Sequence, residues 1–243
     1  MSEPSERLTL AAIGDLHVTA TGERSYRELF SEISEQADVL ALCGDLTDLG
    51  RKDEAQHLCK DLSACTIPVV AVLGNHDFEC GQAEEIAALL REAGVKVLDW
   101  HGAYEIEGVG FAGVKGFAGG FGRGMLGAFG EELIKRFVQE SVDEALRLEN
   151  SLRSLRTERV VAVLHYAPIP ETLEGEPKEI FPWLGSSRLA ETIDRFENVR
   201  AILHGHAHRG IYAGRTPKGI AVYNCAQHVV QAACGKPYAL IEI

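Results

Sequence analysis

The sequence contains no Cys-x-x-Cys pair and no apolar run approaching the ~20 residues that a membrane-spanning helix needs. The first absence argues against a zinc ribbon. The six cysteines, at 43, 59, 65, 80, 225 and 234, read as reduced, mostly buried thiols. The second argues against membrane insertion. The opening residues, MSEPSERLTL, lack the basic start and apolar stretch of a signal peptide, so the expected location is the cytoplasm. Basic residues are outnumbered: 24 Lys and Arg against 36 Asp and Glu leave a formal net charge of −12. A field of that sign repels polyanions and argues against nucleic acid as a partner, while it suits a protein that holds divalent cations. No internal repeat or clear linker interrupts the 243 residues, and one domain over 1–243 is expected.

What is present is a repeated pattern. Apolar runs rich in Val, Leu and Ile each close on polar residues: LTLAAI into GDLH, DVLALC into GDLTD, IPVVAVL into GNHD, RVVAVL into HYAP, and VRAIL into HGHAH. Runs of this length suit strands buried on both faces. Helical patterns separate them at 26–37, 53–62, 83–93 and 187–196, which makes the chain an α/β layered protein. The clearest helix spans 131–156, where Leu133, Ile134, Phe137, Val138, Val142, Ala145, Leu146 and Leu152 recur at three- and four-residue steps. Near the end, GIYAG and GIAVYN flank the turn GRTPKG as an antiparallel hairpin, and YALIEI reads as a closing strand.

Glycine occupies ten of the 23 positions 108–130, interleaved with Phe111, Phe117, Phe121 and Phe129. No Lys-Ser/Thr pair follows, so this is not a phosphate-cradling P-loop. Its first part suits a glycine-containing hairpin. The second half is either an active-site lid or a flexible connector before the long helix.

Every apolar run delivers a side chain able to bind a metal or carry a proton. The first gives Asp15 and His17, the second Asp45, the third Asn75 and His76, the fourth His165, and the fifth His206 and His208. Ligands of open α/β sheets bind outside the carboxyl ends of the strands. Any one of these residues alone reads as packed or exposed. Five coincident strand ends do not, because an ordinary core would not gather so many costly polar groups without something to neutralise them. Mixed carboxylate, imidazole and amide donors suit Mn²⁺, Fe²⁺ or Zn²⁺ rather than Ca²⁺.

The ordered set GDLH, GDLTD, GNHD, His165 in LHYAP, and GHAH resembles the calcineurin-like metallophosphoesterases from about Leu8 to His208. The resemblance implies a four-layer α/β/β/α sandwich of two mixed β-sheets flanked by helices, with two divalent metal ions (Mn, Fe or Zn) above them. It further implies that Asp15, His17 and His208 bind one ion, that Asn75, His165 and His206 bind the other, and that Asp45 bridges. His76 would then assist the leaving group while a metal-bridging hydroxide attacks phosphorus. Asp48 is similar to the family's carboxylate that orients this histidine, or else is a loop or cap residue. Asp77 reads equally as a local turn former. His204 has no role in that scheme and would lie behind the ligands or simply pack, and His57, His101 and His228 match no motif.

The expected substrate is a small phosphodiester or phosphomonoester. The family's protein phosphatases carry an arginine after the second motif and GNHE in the third, whereas this chain has Leu49 and GNHD. Loss of that bidentate clamp for a dianionic phosphate argues against phosphoproteins. Arg51, Lys115 and Arg123 are cations that could contact phosphate, with surface placement the simpler reading. The alternatives are a nuclease, against which the acidic balance counts, and a non-catalytic metal-binding scaffold for protein partners, which would not need His76.

Overall fold

The structure, a computed structural model, describes residues 7–100 and 102–243, so His101 lies outside the described residues. Strands β1 (Thr9–Ile13), β2 (Val39–Cys43), β3 (Val69–Val72) and β4 (Lys96–Val97) run parallel in one sheet, with β5 (Ala103–Ile106) and β6 (Val109–Val114) opening the second. The second sheet continues through β7 (Arg159–Leu164), β8 (Val199–His204), β9 (Ala213–Arg215) and β10 (Ala221–Asn224) in the order β5-β6-β7-β8-β10-β9. The last strand, β11 (Ala239–Glu242), returns to the first sheet and pairs antiparallel with β1. Both sheets are mixed: parallel centres carry antiparallel strands at β11, β5 and β9.

Helices α1 (Arg27–Gln36), α2 (Lys52–Leu62) and α3 (Ala83–Glu92) cover the first sheet. Helix α4 (Glu132–Ser154), the short α5 (Phe181–Leu184) and α6 (Ser187–Ile193) lie on the other side of the molecule, and α7 (Gln227–Cys234) precedes β11. Period-two alternation divides the apolar residues into three layers. Ala11 and Ile13 of β1 meet Phe30, Ile33, Leu58 and Leu90 on the helix side. Leu10 and Ala12 instead face Phe111, Val161, Val163 and Leu203 between the sheets. Ala162, Leu164 and Ile202 pack outward against Leu148, Leu152, Leu189 and Ile193. Helix, sheet, sheet, helix is the four-layer order that the motif resemblance implies. No described helix is long and apolar enough to cross a membrane.

One feature agrees with the sequence reading and one differs. Residues 109–114 are an arm of the expected glycine-containing hairpin, antiparallel to β5. They form β6, buried along its whole length between β5 and β7. Glycine is there because the sheets approach closely: a Cβ on Gly113 would run into the Val163 carbonyl and the side chains of Leu98 and Val72. In α4, Leu133, Ile134 and Leu146 are exposed, and the buried face begins at Val138. A helix of this length spans about 35 Å, while the six-residue strands beneath it span about 20 Å. The first turns of α4 therefore overhang the sheet.

Candidate metal centre

The carboxyl ends of β1, β2, β3, β7 and β8 converge, and the polar residues that follow them form one site. Each of these turns is tight. Asp15, His17, Asp45 and His206 all have left-handed backbones (φ 59°, 46°, 48° and 71°), which costs about 1–3 kcal/mol apiece for non-glycine residues. Surrounding hydrogen bonds hold these turns. The Asp15 carbonyl accepts from Gln227 Nε2 (2.5 Å), and the Leu16 carbonyl accepts from the Tyr26 hydroxyl (2.6 Å). Gly205 has to be glycine for a separate reason: a Cβ there would stand 2.6 Å from Asp15 Oδ2 and 2.7 Å from the Cys43 carbonyl.

Asp77 clamps the second and third motif loops together. Its fully buried carboxylate accepts from the Thr47 hydroxyl (2.5 Å) and from the backbone N–H groups of Thr47 (2.8 Å), Leu46 (3.2 Å) and Gly74 (2.7 Å). Burial, followed by the nearby Asp45 charge, pushes its carboxyl up to about 6 against those hydrogen bonds. It ties two loops together, a longer reach than a local turn.

Donor atoms fall into three overlapping groups, each within 4.8 Å: Asp15, His17 and His208; His17, Asp45 and His76; and Asp45, His165 and His206. Asn75 joins the last group, its Oδ1 lying 2.9 Å from His165 Nε2. Asp15 Oδ1 lies 2.9 Å from His208 Nε2, and its carboxylate also accepts from the His206 backbone N–H. All seven residues assigned as ligands by resemblance thus meet in one place, with Asp45 between the two outer groups.

Several rings are oriented from behind. His165 Nδ1 donates to the Cys43 carbonyl (3.0 Å), which turns Nε2 toward Asp45 at 3.3 Å. His206 Nε2 is 3.3 Å from the Trp183 carbonyl, leaving Nδ1 to face the site. His76 Nδ1 donates to the Asp48 backbone carbonyl (2.6 Å), so Nε2 is presented outward. This corrects the expectation for Asp48: the main chain orients His76, while the Asp48 carboxylate stands 3.6 Å from His17 Nδ1. His204 faces the other way. Both of its nitrogens are taken, by Thr172 Oγ1 and the Gly205 carbonyl (2.8 Å each), and burial lowers it to about 4.

The electrostatics fit cations. Asp15 and Asp45 are almost fully buried, at 2% and 1% exposure, beside four histidines. Burial is the largest single influence and would raise the Asp45 carboxyl, but the charge and hydrogen bond of His165, together with the His76 backbone N–H and ring, outweigh it and hold the carboxyl far below its usual range. His165 loses basicity to burial yet is raised to about 9, chiefly by Asp45. His206 is lowered to about 3, first by lost hydration and then by its neighbour His165. The strongest sign is His17: both ring nitrogens are sealed from solvent with no hydrogen-bond partner among the described residues. Orphaned buried donors of this kind need an explanation, and a metal ligand's lone pair supplies one.

Around this centre, sequence reasoning missed Tyr166, whose ring packs against His206 at 4.5 Å, and the carbonyl of Trp183. The one signal was an aromatic residue directly after a ligand histidine. Lys115 is not on the surface: it is buried among Phe78, Phe117 and Tyr166 and donates to the Gly116 carbonyl (2.8 Å). Arg51 and Arg123 are exposed, Arg51 beside Asp53 (3.3 Å). His57 is an exposed residue of α2, and exposed His228 lies at the rim, its ring 6.4 Å from that of His208.

Comparisons with known proteins agree with this geometry. Residues 8–210 match the Metallophos family, described as calcineurin-like phosphoesterase. An Arcobacter nitrofigilis protein named "Probable glycerophosphodiester phosphodiesterase GpdQ" is 22% identical over 219 residues, 83% of this chain and 72% of that protein. Among solved structures, the phosphopantetheinyl hydrolase PptH of Mycobacterium tuberculosis superposes with a TM-score of 0.69 at 16% identity, covering 96% of this chain and 95% of that one. The TT1561 protein of Thermus thermophilus gives 0.59 at 16% identity, over 97% and 98% of the two chains. These two structures establish the shared fold; the family match, which takes in every ligand turn, establishes the kind of chemistry. The chain belongs to the calcineurin-like phosphoesterase family and is a phosphoric ester hydrolase.

Proposed function

We propose that this protein hydrolyses a small phosphodiester at a centre of two divalent first-row cations, manganese, iron or zinc. The observation that carries the reading is the sharing of Asp45 between two donor groups, one reaching His17 and the other His165 and His206. In this reading Asp15, His17, Asp45 and His208 hold one ion, and Asp45, Asn75, His165 and His206 hold the second. Cations bound there would activate water and neutralise phosphoryl oxygens.

The protein's own residues do the rest. Asp45 is held in place by the His76 backbone N–H (2.9 Å), so the central carboxylate does not depend on the His76 ring. That ring, fixed through Nδ1 and edge-on to His17 (centroids 4.5 Å apart), offers Nε2 to the leaving alkoxide, which departs with a proton. Diesters are favoured because, by motif position, this chain has Leu49 where the family's protein phosphatases carry an arginine clamp for a dianion. The Arcobacter relative's name points the same way. The largely exposed segment 122–130, anchored through Gly119 and Gly120 to the Pro182–Ser187 stretch near His206, is suited to act as a lid.

The test is metal content and turnover together. Two ions per chain and faster metal-dependent hydrolysis of bis(p-nitrophenyl) phosphate than of p-nitrophenyl phosphate are expected. A single ion per chain, or a preference for the monoester, would count against the reading.

A further inference from the structure

Tyr166 is 7% exposed, and its ring is held on several sides. It packs against His206 (centroids 4.5 Å), edge-on to His165 (5.6 Å) and against Phe117 (6.0 Å), with the Lys115 ammonium 5.3 Å from its centroid. The backbone N–H groups of His165 and Tyr166 both donate to the Lys115 carbonyl (3.0 Å each), so the residue cannot swing away from the site. Yet the hydroxyl makes no hydrogen bond to any described residue, and it is not among the polar atoms sealed from solvent. A phenol this deeply placed ordinarily has a partner. The ring contacts with His206 and His165 place Tyr166 directly beside the candidate metal centre.

We propose that Tyr166 is a catalytic residue whose hydroxyl donates a hydrogen bond to a phosphoryl oxygen of the bound substrate. The inference rests on the phosphodiesterase reading and deepens it. The proton stays on the phenol throughout, and no bond to Tyr166 forms or breaks. A neutral donor suits a diester, whose phosphoryl group carries a single negative charge. A monoester dianion calls for a cation, and Lys115, the one packed against the Tyr166 ring, is enclosed by aromatic side chains and donates to the Gly116 carbonyl.

Tyr166→Phe removes the hydroxyl and keeps the ring against His206. Three measurements are made on wild type and variant: ions per chain, the thermal midpoint of the metal-free protein, and kcat/KM for bis(p-nitrophenyl) phosphate and p-nitrophenyl phosphate. The variant should bind as many ions and be at least as stable, because an unpartnered hydroxyl contributes nothing to the free protein. Its kcat/KM for the diester should fall about 10- to 100-fold, with a smaller loss on the monoester. Diester turnover within twofold of wild type overturns the proposal. So does a loss of bound metal or of stability, which would make the hydroxyl architectural, and so does an equal loss on both esters. A metal-loaded wild type that cleaves no diester overturns the functional reading itself, and the inference with it.

Discussion

His76 and Asp45 are joined through the backbone of one and the side chain of the other: the His76 N–H donates to Asp45 Oδ1 at 2.9 Å. The imidazole of His76 points elsewhere, to the Asp48 carbonyl. Two tasks, steadying the shared carboxylate and presenting a proton donor, are therefore separable by mutation.

His76→Ala keeps the backbone donor and loses the ring. The variant should retain its metal content while kcat for a diester falls by about 10²- to 10⁴-fold, the range for loss of a general acid. Metal analysis beside steady-state kinetics checks both halves, and an unchanged rate in fully loaded protein would refute the role of the ring.

Asp45→Asn should behave in the opposite way. The side chain loses the charge shared by two donor groups, so at least one ion is expected to leave and activity to fall with it. Metal stoichiometry by elemental analysis decides the matter. Full occupancy of both positions in this variant would exclude a bridging role.

Asp77→Ala tests the clamp between loops. It leaves the Leu46, Thr47 and Gly74 N–H groups and the Thr47 hydroxyl without an acceptor inside the protein. Each stranded buried group costs about 1–3 kcal/mol, so a loss of at least about 3 kcal/mol is expected in urea unfolding of metal-free protein. A change below about 1 kcal/mol would mean that water replaces the carboxylate without penalty.

Asp99 sets a pH dependence. Its fully enclosed carboxyl accepts from the Leu73 and Lys115 backbones (2.7 Å each), but burial dominates and, with Glu144 nearby, raises it to about 7. The unfolded chain releases this proton near pH 4, so between about pH 4 and 7 the folded state binds the extra proton. Stability from this group is complete below pH 4 and declines as pH rises to 7. Asp99→Asn cannot titrate and gives up one acceptor. It should therefore melt below wild type by a margin that narrows from pH 4 to pH 7 and is constant above; a margin that widens would reverse the assignment.

The strand-to-motif junctions were legible because each couples two independent signals, an apolar run and a polar stop. The meeting of all seven ligand candidates follows from those junctions, while the layer order was legible through the family resemblance and the C-terminal hairpin through its GRTPKG turn. β6 was legible only as an arm of a glycine-containing hairpin, without bounds: the glycines at 110 and 113 let neighbouring groups approach, and so weaken the β-branched pattern by which strands are recognised. Asp48 was placed in the right neighbourhood with the wrong atom, since sequence names side chains and the contact is made by a carbonyl. Tyr166 carries one faint signal, an aromatic residue directly after a candidate ligand histidine. Its significance lies in a hydrogen bond that is missing, which only coordinates can show.

The candidate ligands come from both sheets, Asp15, His17, Asp45 and Asn75 from one and His165, His206 and His208 from the other. Ions gripped by the two groups would act as a rivet across the seam between the β-layers. Loading would stiffen the whole upper edge of the sandwich, well beyond the atoms that touch the ions, and stripping them would let the halves breathe independently there.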